Sequence, residues 1–493
     1  MRDVIIIGGG LGGLTAGALL AKQGKKVTLI EQHNVVGGYA TTFKRKNFKV
    51  EAGLHEMDGL HNSDPKREIF EKLDVFKNIE FIKAPQFYKF KKGDLEITIP
   101  DEVEKAKEVL YKNFPKETKA IDKFFKRILK IGDEFEKIPN PDQKLKFVLL
   151  SPIFPFLFPN ITLKSKYTVG KFIDSITDDN NLKLVLTANL AYYHDDPYQL
   201  SLLYFGVAQS SYFKGGGHFI KGGSQNLSNH FRDVILNNGG EVVLKNIVTD
   251  ILIENGKAIG VTYQKTRQNS DEDIKNIFGK NIIFNGAIPN IKDMLPENEK
   301  SIIEKKIGKQ QISPSMLTLY LGFDKPLKEI GNSSYSTMFF SKNSKFGEIY
   351  KKNWNLCDYS QIDSGLTDSD KSFAVIVEVD YIQNWDHLSK EDYKKAKEEK
   401  IEELLTNLEK EIPKVRKHII YSELVTAKTN QRYTLNPNGA IYGFAQIPNQ
   451  SFLRRVQNRS GISNLYYASA WTMPGGGFTG AILSGYFTSL EIK

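Results

Sequence analysis

An α/β fold is predicted for this 493-residue chain by three observations. A β-branched run, "DVIII", opens directly onto a glycine-rich turn and a helix; a second dense run of small residues, "WTMPGGGFTGAILSGYF", lies at residues 471–487; and strand-like and helix-like patterns alternate in between. The first glycine run occupies residues 5–17, so the question is whether two loops at opposite ends of the chain serve one ligand.

A chain of this length is too long for one ordinary core and predicts two to four structural units. With 40% hydrophobic and 11% aromatic residues those units are expected to be globular. The net charge of +10 suits nucleic acid, an anionic membrane surface or acidic ligands, and equally a lysine-rich composition with no such partner. Cys357 is the only cysteine, which excludes a disulfide framework and a thiolate metal site and fits a reducing cytoplasm. The opening "MRDVIIIGGG" is too short and glycine-rich for a signal segment, and no 18-residue uncharged apolar stretch follows. A cytoplasmic protein is expected, soluble or attached to the inner face of the membrane from one side.

Residues 3–7 read as a central parallel strand buried on both faces. Gly8, Gly10 and Gly13 follow in G-x-G-x-x-G spacing, with Leu11 and Gly12 inside the turn, then the helical "LTAGALLAKQG" and a second strand, "KVTLIE", closing on Glu31. Each part has a task in dinucleotide binding. Glycines let the backbone approach a diphosphate, the helix amino terminus supplies N–H groups and dipole, and the carboxylate accepts from ribose hydroxyls. A carboxylate at position 31 repels a 2′-phosphate, so the adenosine half is not that of NADP.

Downstream, "QHNVVGGYATTFKRKNFKVEAGLHEMDG" holds a second glycine pair, Gly37 and Gly38, and a hairpin pattern. Here the chain resembles the flavoprotein superfamily of amine oxidases, GDP-dissociation inhibitors and phytoene desaturases. The resemblance implies FAD, with Gln32, Gly37, Gly38 and Tyr39 continuing its site. Tyr39 stands where the family usually has arginine, which, with "GLHEMDG", points to the carotenoid isomerase and retinol saturase branch. "GGGHFIKGGSQNLSNHFRDVILNNGGEVVLKNIVTDILIENGKAIGV" resembles a second recurrent block, which implies that the Val248 backbone meets the adenine end. "NIIFNGAIPN" then returns a strand to the nucleotide domain. The expected architecture is a discontinuous Rossmann-type FAD-binding domain with an inserted α+β substrate domain and a helical subdomain. FAD-binding parts fall at 1–75, 215–300 and 429–493; a helical, membrane-facing part of the substrate region falls at 76–214, and its sheet and helix at 301–428.

Residues 103–146 show helical amphipathic spacing rich in lysine. "FVLLSPIFPFLFPNI", residues 147–161, carries three prolines and is too broken to span a membrane. Flanked by Lys144, Lys146, Lys164 and Lys166, it reads either as a loop dipping into a bilayer or as a kinked helix packed on its own domain. "TANLAYYHDDPYQLS" matches a region that lines the substrate domain in desaturase-like chains, and that resemblance implies Tyr193 and His194 as candidates for the substrate wall, beside the plainer reading of core tyrosines and a capping histidine. "PSMLTLYLGFD" and "KSFAVIVEVD" alternate like strands, and "KEDYKKAKEEKIEELLTNLEKEI" is a solvated helix. No basic stripe interleaved with aromatics supports a nucleic-acid partner.

Near the end, the strand "NLYYASA" leads to a helix that Gly480 would open. The resemblance implies that Ala470, Gly477, Phe478, Gly480 and Ala481 hold the flavin end, where the helix dipole stabilises negative charge on a reduced flavin. Many flavoproteins carry an aspartate after this strand; here the stretch is Ala468, Ser469 and Ala470. No hydrolase triad order, H-E-x-x-H, C-x-x-C, phosphate-binding lysine loop or metal-ligand spacing stands out. His55 and Glu56 are the acid/base candidates near the flavin. The reading is an FAD-dependent oxidoreductase acting on a hydrophobic polyene or isoprenoid by desaturation, saturation or isomerisation, with hydride passing through flavin N5. Its alternatives are a flavin oxidase of an amine or porphyrinogen, and a non-catalytic prenyl-lipid carrier of the GDP-dissociation inhibitor kind.

Overall fold

The computed structural model describes residues 1–493 except 140–142, 144–148, 267–273, 349–352 and 369. One seven-stranded sheet runs in the order Glu241–Val243, Val27–Ile30, Arg2–Ile7, Lys275–Phe284, Lys257–Lys265, Asn246–Glu254, with Leu465–Tyr467 also paired to Lys275–Phe284. Its first four strands and Leu465–Tyr467 pair in parallel, and the Asn246–Lys265 hairpin adds antiparallel strands. The all-apolar "VIII" run is explained by burial on both faces. Val4 and Ile6 join the core beneath the helices, while Ile5 and Ile7 join the core under the hairpin.

The Leu11–Lys22 helix lies between Gln225–Asn237 and the carboxyl-terminal Gly477–Glu491 helix. Glycine permits the second contact: a Cβ on Gly485 would collide with the Gly12 carbonyl. The two ends of the chain therefore fold back onto each other.

A second seven-stranded sheet has the order Ile419–Val425, Ser315–Phe323, Ser372–Asp380, Trp354–Asp358, Ser336–Phe340, Tyr88–Lys92, Leu95–Ile99. Strand alternation divides its labour. Leu317, Leu319 and Leu321 pack with Leu404, Leu405 and Leu408 of the Lys390–Glu411 helix, whereas Met316, Thr318 and Tyr320 face a central cavity. A helical layer, chiefly Thr118–Glu136 and Leu202–Gly215, closes the cavity from another side around a phenylalanine-rich core.

The broken segment is partly packed on its own domain and partly exposed. Phe147, Lys144 and Lys146 lie outside the described residues. Beyond them, short helices at Phe154–Leu157 and Pro159–Lys164 bury Phe158 and Ile161 while leaving Phe156 84% and Leu163 71% exposed. Among the described residues no helix is long and apolar enough to cross a membrane.

Candidate functional site

A cavity of about 490 Å³ is lined by both glycine runs, which answers the question the sequence raised. At one end the wall is main chain. Gly8 turns at φ +94°, and the Asn285 side chain, just past a central strand, donates to the carbonyls of Gly8 at 3.0 Å and Gly10 at 3.2 Å. Gly37 N–H donates to the Gly9 carbonyl at 2.7 Å, which locks the second glycine pair onto the first loop. Glu31 is buried and accepts from Gly9 N–H at 2.6 Å and His33 N–H at 2.8 Å. The carboxylate thus shapes the loop while also lining the cavity.

Of the residues the sequence assigned to the cofactor, Gly8, Gly10, Leu11, Gly12, Glu31, Gln32, Gly37, Gly38, Tyr39, Val248, Ala470, Gly477, Phe478, Gly480 and Ala481 all line this cavity. Gly13 is the exception. It packs behind the turn, where a Cβ would stand 2.6 Å from the Gly8 carbonyl oxygen. A second correction concerns the last helix, which begins at Gly477, three residues before the expected Gly480, because Gly477 at φ +81° makes the turn into it.

The site fits a dinucleotide on the chain's own geometry. The helices starting at Leu11 and Gly477 have Gly10 and Gly476 as N-caps, and neither has a side-chain cap hydrogen bond. Their first-turn N–H groups face one cavity and are available to acceptors on a bound group. In the stretch that lacks the aspartate of many flavoproteins, Ser469 ties the strand end inward, donating from Oγ to the Gly286 carbonyl at 3.1 Å and from N–H to Ser484 Oγ at 3.1 Å.

At the other end the wall is side chains from distant elements, including Phe135, Tyr192, Tyr193, Tyr204, Tyr212 and Met338. His55 Nδ1 lies 2.8 Å from Tyr192 Oη, which also accepts from Asn355 Nδ2, and the His55 carbonyl accepts from Tyr335 Oη. Burial pulls the His55 imidazole down to about 4, so it is neutral at physiological pH. Glu56 is pushed up to about 8 by burial first, then by Asp101 and Asp58, so it carries a proton at neutral pH. Its Oε2 is buried without a hydrogen-bond partner. Asp58 stays ionised, below the ordinary carboxylate range despite burial, because Lys66 sits 3.5 Å away and Thr479 Oγ1 donates to it at 2.5 Å.

Tyr193 lines the cavity, its hydroxyl accepting from Gln209 Nε2 at 3.3 Å, and burial drives its phenol well above 10. His194 does not line it. This candidate is corrected: the ring is buried in the loop, its Nδ1 accepting from Asp196 N–H at 3.0 Å and standing 2.8 Å from Asp195. It is the capping histidine of the plainer reading. Sequence reasoning missed Asn285, Asp58, Lys66, Tyr204, Tyr442 and Arg455. Asn285 carried a signal, since it ends a strand of the nucleotide sheet; the others become neighbours only through the fold.

Residues 11–492 match the family model described as flavin containing amine oxidoreductase. The all-trans-retinol 13,14-reductase of Danio rerio is 27% identical over 98% of this chain and 85% of that protein. The chloroplastic prolycopene isomerase of Daucus carota is 25% identical over 98% of this chain and 78% of that protein. The structure of an oxidoreductase from Methanosarcina mazei superposes with a TM-score of 0.65 at 18% identity, covering 98% of this chain and 99% of that one.

Proposed function

The chain belongs to the family of flavin-containing amine oxidoreductases, with FAD as its cofactor, and from that premise we propose that its substrate is a hydrophobic polyene or isoprenoid. The observation that carries this reading is the state of the substrate wall: it is largely aromatic and aliphatic, its two acid/base candidates, His55 and Glu56, are both neutral at physiological pH, and its charged groups are held in ion pairs, Lys66 with Asp58 and Asp64, and Glu136 with Lys214. Such a wall suits a hydrocarbon chain. An ammonium substrate would call for an ionised carboxylate free to receive it, and those of Asp58 and Asp64 are already engaged with Lys66. The names of the two relatives, a retinol reductase and a carotenoid isomerase, favour the same substrate class.

In this reading Gly8 to Gly12, Glu31, Gly37, Gly38 and Val248 receive the adenosine diphosphate half. Ala470 and the Gly477 to Ala481 turn receive the flavin half. FAD supplies hydride exchange with carbon when bound. The tyrosine wall excludes water and holds the polyene extended, and Glu56 holds the proton. In saturation Glu56 would give its proton to one carbon of the double bond while bound FAD would supply hydride to the other; in desaturation the Glu56 carboxylate would take up a proton while FAD would accept the hydride. The exposed Phe156 and Leu163 face, beside Lys164 and Lys166, docks on an anionic membrane from which such a substrate is drawn.

The test is direct. Purified protein is expected to be yellow, absorbing near about 450 nm, and reduced protein is expected to be reoxidised by retinoids or carotenoids presented in vesicles. Expression in a carotenoid-producing host followed by pigment analysis identifies the product. Turnover of amines or porphyrinogens with none of polyenes overturns the substrate reading. A colourless protein that carries prenyl lipid overturns the enzyme.

A further inference from the structure

Arg455 lies in a polar stretch, "SFLRRVQNRS", yet it is only 2% exposed. Its guanidinium donates to four main-chain carbonyls: Nη1 to Phe444 at 2.8 Å, Nη2 to Ala470 at 2.9 Å and Tyr442 at 3.3 Å, and Nε to Thr472 at 3.3 Å. All four acceptors are neutral. Burial pulls the group down only to about 10, so it stays charged at neutral pH. Tyr204, whose phenol interacts electrostatically with it, is pushed up to about 12 by burial and stays neutral. Removing a guanidinium from water without an anionic partner is costly, and a carbonyl cradle recovers only part of that cost.

The charge therefore has a use that the protein alone does not supply, and its position indicates which. Two of its acceptors, Tyr442 and Ala470, line the cavity, and a Cβ on Gly476 would stand 2.6 Å from Tyr442 Cα. Gly476 is the uncapped entry to the Gly477–Glu491 helix, whose dipole presents positive charge to the same place. Of the buried acids of the "HEMDG" turn, Glu56 is protonated, while Asp58 accepts from Thr479 in the first turn of this helix and shares Lys66 with Asp64, whereas the acceptors of Arg455 are carbonyls only.

Resting on the FAD reading, we propose that Arg455 is a positioning residue for the flavin end, which fixes the Tyr442 and Ala470 carbonyls and places an unbalanced positive charge behind the wall that meets the flavin, favouring the reduced, anionic form. The charge and the cradle are separable. Arg455→Gln keeps N–H donors without charge, and Arg455→Lys keeps charge with a poorer cradle.

Both variants are purified as yellow holoprotein, and the two-electron midpoint potential and the affinity for sulfite are measured. Sulfite adds its electron pair to flavin N5 and leaves negative charge on the ring, so it reports the same field. Arg455→Gln is expected to lower the potential by at least about 30 mV, a tenfold change in the reduction equilibrium for a two-electron couple, and to weaken sulfite at least tenfold; Arg455→Lys is expected to stay within about threefold of wild type. Equal shifts in the two variants overturn the proposal. So does an unchanged potential with weakened FAD retention in Arg455→Gln, which would place the charge at the diphosphate. Should both variants fail to fold, the wild-type reduced spectrum decides: the anionic form at neutral pH supports the proposal and the neutral form overturns it. Wild type that cannot bind flavin overturns instead the cofactor reading beneath it.

Discussion

At the dinucleotide end of the cavity the wall is main chain, turned by glycines and braced by Asn285 and Glu31; at the substrate end it is side chain, gathered from the 55–58 turn, the 189–212 helices, the second sheet and the 442–452 loop. The first end recognises a ligand by N–H groups and close approach, so it tolerates almost no added atom. The second works by dryness and protonation state, so it tolerates isosteric changes in shape but not changes in charge. The contrast teaches where substitutions should be fatal and where they should be selective.

The largest effect is expected at Gly12. A Cβ there would collide with the Ala468 carbonyl, a backbone atom that cannot swing aside. Gly12→Ala should separate the Leu11 helix from the strand end, cost about 1–3 kcal/mol through overpacking, and yield protein with little or no bound flavin. Thermal melting and released-flavin absorbance check both. Flavin content equal to wild type would mean that the main-chain wall is looser than described.

Glu56→Gln comes next and leaves the first end untouched. Flavin content should hold while turnover of polyenes falls by about 10²- to 10⁴-fold, the range for loss of a general acid. The pH profile sharpens this. With the carboxyl protonated up to about 8, double-bond reduction should fade above that pH, whereas dehydrogenation, which needs the carboxylate, should rise through it. Stability follows the same group: the folded state holds a proton that the unfolded state has released between its ordinary value near 4.5 and about 8, so its contribution falls as pH rises across that window. Glu56→Gln should remove that slope in denaturant titrations, and an unchanged slope would refute the protonated acid.

His55 gives a smaller effect with the opposite sign. Its folded value of about 4 lies below the ordinary 6.5, so the unfolded chain takes the proton first on acidification, and stability rises with pH between about 4 and 6.5. Comparing wild type with His55→Gln over that window should reveal a difference of at most roughly 3 kcal/mol, absent at neutral pH. The smallest folding effect is expected outside the cavity. Phe156→Glu with Leu163→Glu should change stability by no more than about 0.5 kcal/mol, yet abolish sedimentation with anionic vesicles. Retained sedimentation would remove the membrane face from the reading.

The legibility of the molecule follows the same division. Residues 3–38 could be read because strand, turn, helix, strand and acid are contiguous, and each glycine answers to a local backbone demand. The second glycine run was legible by composition, although its helix starts at Gly477 because a left-handed turn, not the small-residue count, sets the boundary. Gly13 and His194 show the limit from the other side. Spacing put Gly13 and family resemblance put His194 in functional roles, but one packs behind the turn and the other caps a loop, since neither spacing nor resemblance says which way a residue faces.

The sequence by itself determined that a dinucleotide loop exists, that a parallel sheet supports it and that a distant second loop is available, because those features arise from backbone preferences and burial patterns a few residues long. Only the tertiary structure decided that Arg455 is a buried cation rather than a surface arginine, that Glu56 and His55 are neutral, and that Asp58 and Asp64 share Lys66. Charge and protonation depend on desolvation and on neighbours that come from remote parts of the chain, and both arise only when the fold excludes water.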